Sequence, residues 1–114
     1  MAELIDFKHL DMLRDVIGDD LKEILEVFIT TAPNDLIGMQ QTLSSQDAEG
    51  LRLHAHTMKG SAANVGATTL SLLAKNIEEM AKSGELPVEG KELNELEDTL
   101  NKVISALQDY IKNI

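Results

Sequence analysis

The chain has no cysteine and no tryptophan, and only two prolines, two phenylalanines and one tyrosine. Without cysteine, a disulfide framework, thiolate zinc sites and cysteine nucleophiles are all excluded, and the absence fits a reducing cytosol. With Phe7, Phe28 and Tyr110 as its whole aromatic complement, the core must be built from Leu, Ile, Val, Met and Ala. Positive charge is also scarce: 10 Lys and Arg stand against 20 Asp and Glu, a formal net charge of −10. Such a field disfavours nucleic-acid backbones and anionic membranes and points to protein partners. Any phosphate handled here needs a local cation to offset it. No apolar run approaches the roughly 18 residues of a membrane span. The opening MAELIDFKHLD lacks the basic and apolar regions of a secretory signal. A cytoplasmic protein is the expectation.

What is present is a chain of 114 residues, 43% hydrophobic, without a composition break. A single domain over 1–114 with one core follows. Strand signals are missing, and helical ones recur throughout. Phe7, Leu10, Leu13 and Ile17 step by three or four through a first short helix, and Gly18 ends it. Asp19 or Asp20 is placed to cap a second helix carrying Leu21, Leu25, Phe28, Ala32, Leu36, Met39 and Leu43. Pro33 lies inside that helix, so a bend near Thr30 is expected. The turn falls in SSQDAEG (44–50), and a third helix runs from about Asp47 to Asn64 on a stripe of Leu51, Ala55, Met58 and Ala62. Gly66 stops it, and Thr68 or Thr69 is placed to cap a fourth helix with Leu70, Leu73, Ala74, Ile77 and Met80 or Ala81. SGELP (83–87) ends that helix. Leu93, Leu96, Leu100, Val103, Leu107 and Ile111 mark the last one, the cleanest period in the chain. The expected fold is all-α, an antiparallel four-helix bundle with a short additional N-terminal helix.

Two of the three histidines fall in HAHTMKGSAANVGA (54–67). At about 100° per residue, His56 lies roughly 130° from the centre of the buried stripe and faces solvent. His54 lies roughly 70° away on the other flank, at the edge of the core, so the two rings diverge and cannot share a metal. Lys59, Gly60 and Ala63 follow on the His56 face. A lysine there can reach any group attached to the imidazole. A helix-interior glycine, which costs about 1 kcal/mol relative to alanine, either leaves room for a partner or permits close helix packing. His54 and His9 read as structural or incidental.

The stretch HTMKGSAANVGATTL (56–70), preceded by alanine and followed by a helix containing IEE, resembles the histidine-containing phosphotransfer (HPt) domains of two-component phosphorelays. The matching residues are His56, Lys59, Gly60, Ser61, Ala62, Gly66 and Ala67; Met58 stands where the family often has Leu, a nearly volume-neutral swap. The resemblance implies that His56 is the phosphoacceptor, that Lys59 stabilises the phosphoryl group and that Gly60 gives a receiver domain steric clearance. In many members a Gln or Glu 22 residues after the histidine orients the imidazole, which implies that role for Glu78. Lys82 falls where some members carry a second basic residue. Periodicity sets Glu78 and Lys82 on one side of the fourth helix, but it does not say whether that side faces His56.

The implied function is that of a phosphorelay intermediate. His56 takes a phosphoryl group from a receiver aspartate or a histidine kinase and passes it to a response regulator. On that reading the chain is a phosphohistidine carrier and not a kinase in its own right. It binds no cofactor, and the Mg²⁺ belongs to the receiver. Receiver domains and a sensor or hybrid kinase are the implied partners, with the carrier a monomer. Docking is expected around His56, with Leu53 and parts of the first helix as candidates. A start at Met1 and an end just after the last helix favour a stand-alone carrier over a fragment of a hybrid kinase. The alternative is a helical interaction module that docks without being phosphorylated. A metal-binding bundle enzyme would need an inward-facing Glu-x-x-His motif, and none occurs.

Overall fold

The computed structural model describes residues 3–86 and 90–114. Five helices account for most of them: α1 Phe7–Ile17, α2 Asp20–Ser44, α3 Ala48–Asn64, α4 Thr68–Lys82 and α5 Lys91–Lys112. Among the described residues there is no strand. α3 packs on α2 and α4, α5 closes the ring by packing on α4 and α2, and α1 lies against α2. With successive helices packed as neighbours, α2 to α5 form an antiparallel four-helix bundle with α1 as the added helix. The 25 residues of α2 span about 38 Å at 1.5 Å each, close to the 42 Å long dimension of the molecule.

The apolar stripes face inward as their spacing requires. Leu21, Leu25, Phe28, Ala32, Leu36 and Met39 of α2 are buried with Leu51, Ala55, Met58 and Ala62 of α3. Leu70, Ala74, Ile77 and Ala81 of α4 meet Leu93, Leu96, Leu100, Val103 and Leu107 of α5 in the same core. α1 contributes less than its period suggests. Only Leu10 of that helix is fully buried, while Phe7 stays half-exposed with its ring 6.0 Å from that of Tyr110.

Helix ends depart from expectation in two places. Asp19 does occupy the N-cap of α2, but its side chain makes no capping bond and its backbone is already helical. Ala67, not a threonine, is the N-cap of α4. The Thr68 and Thr69 hydroxyls donate instead to the Glu3 carbonyl, at 2.5 and 2.9 Å. That carbonyl belongs to the segment before α1, which also pairs Asp6 N–H with Gly66 C=O at 2.7 Å. A long-range acceptor thus outcompetes the local capping role. Asp47 caps α3 as its position requires, accepting from Gly50 N–H at 2.9 Å. α2 continues through Pro33, and just before it the Thr30 hydroxyl donates to the Glu26 carbonyl at 2.6 Å, the type of bond that accompanies helix bending. Of the residues proposed to end α4, Pro87 lies outside those described, while Ser83 caps the helix and Gly84 takes a positive φ of 81°.

Candidate functional site

α3 and α4 make the most extensive contact in the bundle, and its lining explains the site. Ala55, Ala62, Ala74 and Ala81 are all buried along these two helices, and such small side chains let helix axes approach closely. Glu78 sits between Ala74 and Ala81, one turn from each, and is itself 4% exposed. From there its carboxylate reaches across to α3.

His56 stands on the outer face of α3 with 60% of its side chain exposed, and its Nδ1 lies 2.7 Å from Glu78 Oε2. The other carboxylate oxygen, Oε1, lies 2.7 Å from Lys59 Nζ, whose side chain is one-third exposed. Lys59 and then His56 hold the Glu78 carboxyl below its ordinary value of 4.5, against the opposing effect of burial. An ionised carboxylate only accepts hydrogen bonds, so the proton between the two groups resides on Nδ1. The neutral ring then presents an unprotonated Nε2, with its lone pair, on the exposed side.

Two more contacts complete the surroundings. Ser71 Oγ donates to the Lys59 carbonyl at 2.9 Å and ties α4 to α3 close to the site. One turn before His56, Arg52 donates to Glu49 through Nε at 2.9 Å and a terminal nitrogen at 2.6 Å. A Cβ built on Gly60 would meet nothing within 4 Å, so packing inside the bundle does not require glycine there. Tight packing therefore does not account for this residue.

The residues singled out in the sequence therefore divide. His56, Lys59 and Glu78 form one hydrogen-bonded cluster, and Gly60 lies open beside it. Lys82 is exposed in the last turn of α4 and makes no ion pair among the described residues. His54 lies half-buried on the opposite flank, where its ring fills the space beside the buried Gly38 of α2; a Cβ there would fall 2.5 Å from it. His9 Nε2 donates to the Asn64 carbonyl at 3.1 Å and joins α1 to the end of α3. Leu53 and Phe7 are exposed to about half. Periodicity did not reveal that Lys59 is committed to Glu78, nor did it draw attention to Arg52, although its place four residues before His56 was a readable signal. Among the described residues no three His, Cys, Asp or Glu side chains cluster as a metal site. None of the described helices is long and apolar enough to cross a membrane.

An exposed histidine held by a buried carboxylate on an antiparallel helical bundle is the arrangement of a phosphotransfer domain. The chain belongs to the Hpt domain family, whose model matches residues 23–108. Across its full length it is similar to the crystal structure of histidine-containing phosphotransfer protein B (HptB) from Pseudomonas aeruginosa PAO1. The TM-score is 0.93 at 27% identity, with 100% of this chain and 99% of the other covered. The HPT domain of an Hpt sensor hybrid histidine kinase from Shewanella shares the fold at a TM-score of 0.82 and 20% identity, over 97% and 96% of the two chains. The phosphorelay intermediate protein rdeA of Dictyostelium discoideum is 28% identical over 91 residues, which are 80% of this chain. The chain spans about a third of the length of that curated relative, the match covering 36% of it.

Proposed function

We propose that the protein is a phosphorelay intermediate in which His56 Nε2 carries the phosphoryl group between a kinase or receiver domain and a response regulator. The observation that carries this reading is the 2.7 Å contact between His56 Nδ1 and the buried Glu78 carboxylate, with the other face of the ring open. In the accepting step the Nε2 lone pair forms a bond to phosphorus as the P–O bond of an aspartyl phosphate breaks. The aspartate carboxylate leaves with the electron pair. The ring keeps its Nδ1 proton and becomes positive, and Glu78 stabilises that charge through the same hydrogen bond. Donation is the reverse, with a receiver carboxylate attacking phosphorus and neutral imidazole leaving.

Lys59 lies beside the group that forms and offsets part of its negative charge, and Gly60 leaves room for the receiver's approach. Lys82, one turn beyond Glu78 on α4 and exposed, is assigned as a second cation for the same charge. Mg²⁺ enters with the receiver's acidic pocket. A net charge of −10 argues for receiver domains and kinases, and against nucleic acid, as partners of a monomeric cytoplasmic carrier. A module that merely docked would have no use for a buried carboxylate aimed at an exposed imidazole.

Incubation with a phosphorylated receiver domain should place acid-labile, alkali-stable label on the chain. His56→Gln is expected to abolish the label and His54→Gln to spare it. Label retained in the His56 variant would refute the assignment.

A further inference from the structure

The cation beside His56 is not free to follow a new negative charge. Lys59 Nζ is held at 2.7 Å by a carboxylate only 5% exposed, and withdrawing it would leave that buried anion with His56 as its remaining partner. Arg52 is differently placed. It precedes His56 by one turn on the same face. Helical side chains lean toward the N-terminus, so the His56 ring lies over the turn that carries Arg52. Its guanidinium is engaged by Glu49, whose side chain is 67% exposed. The pair is two-pronged and the Arg52 side chain is itself 27% exposed. An i, i+3 pair with a solvated carboxylate nevertheless adds little stability, so the guanidinium can exchange it for a stronger anion. Glu49 is the main influence on the guanidinium, but the field of Glu78 reaches it too, so Arg52 is in electrostatic touch with the site.

Resting on the phosphorelay reading above, we propose that Arg52 is a phosphate-binding residue: when His56 Nε2 is phosphorylated, its guanidinium leaves Glu49 and takes the phosphoryl oxygens. Glu49 is then the holding partner of the unphosphorylated state. The phosphoryl group offers a charge near −2 and three acceptor oxygens in place of one solvated carboxylate. The planar fork of arginine matches such oxygens two at a time. Arg52 lies between the two stations, three residues beyond Glu49 and four before His56, about 4.5 and 6 Å of axial distance, within reach of a side chain that long. Arg52 makes and breaks no covalent bond; it moves between two anions.

The test uses the full chain and phosphoramidate, a donor that needs no protein partner. His56 Nε2 bonds to phosphorus as the donor's P–N bond breaks and ammonia leaves. Phosphorus NMR of the phosphohistidine follows its level and its lifetime. Arg52→Gln should lower the steady level about tenfold, one charge-assisted contact's worth, and Arg52→Lys should restore part of it. Glu49→Gln should raise the level, because it releases Arg52. A merely structural pair predicts no such split, since either substitution breaks the same ion pair and both would shift the level in one direction. That outcome, or an Arg52→Gln protein with the wild-type level, overturns the proposal while leaving His56 as carrier. Wild-type protein that takes no phosphoryl group at His56 overturns the phosphorelay reading itself.

Discussion

Replacing Glu78 with alanine removes the carboxylate that touches both His56 and Lys59, each at 2.7 Å. Hydrogen bonds to charged groups contribute about 1.5–3 kcal/mol each when their partners are desolvated. Here His56 is 60% exposed and Lys59 32%, so both rehydrate once the carboxylate is gone. A net loss of about 1–2 kcal/mol is therefore expected, which lowers the melting temperature by about 4–10 °C for a domain of this size. Function should suffer more specifically. Without an acceptor on Nδ1 the ring loses both its tautomer preference and its orientation, and phosphotransfer should slow by about tenfold or more, ~1.4 kcal/mol of barrier. Nitrogen NMR of the imidazole reads the tautomer directly, and transfer from a phosphorylated receiver reads the rate. Glu78→Gln is the control. Its amide oxygen can still accept from Nδ1, and its NH2 group releases Lys59 into solvent, so transfer should stay within about threefold of wild type, ~0.7 kcal/mol. An alanine variant that keeps both the wild-type nitrogen shifts and the wild-type rate would refute the orienting role.

Gly60→Ala should stabilise the protein by about 0.5–1 kcal/mol, because helix propensity improves and the new methyl meets nothing. Gly60→Leu should fold and accept phosphate from phosphoramidate yet fail with a phosphorylated receiver; normal transfer from the receiver would show that the clearance is not used. Acid should erode the contribution of Glu78 in a defined direction. Its carboxyl is held below 4.5 in the fold, so the stability it adds is complete above that value and disappears as pH falls through the lowered one. Urea unfolding of wild type and Glu78→Ala at about pH 7 and about pH 3 should show the difference closing at the lower pH; a gap that widens there would contradict the ionised carboxylate.

The amphipathic periods were enough to specify the helices and the bundle. They were also enough to send His56 outward and His54 to the flank, since direction around a helix follows from spacing alone. The same arithmetic put Glu78 beside the stripe of α4 and stopped there. Angle within one helix carries no information about which residue of the next helix stands opposite, or at what height. That register came from the alanine-lined contact of α3 and α4, which brought Glu78 within reach of His56 and Lys59 together. Tertiary contacts also overrode local rules. Thr68 and Thr69 were drawn from capping α4 to the carbonyl of Glu3, more than sixty residues away in sequence. That packing does not account for Gly60 became visible only in the empty space beside it. What the chain determined by itself was the set of helices and the outward aim of one imidazole; what only the folded bundle decided was the charge environment of that imidazole, because Coulombic and hydrogen-bond energies depend on distances between helices that no periodicity encodes.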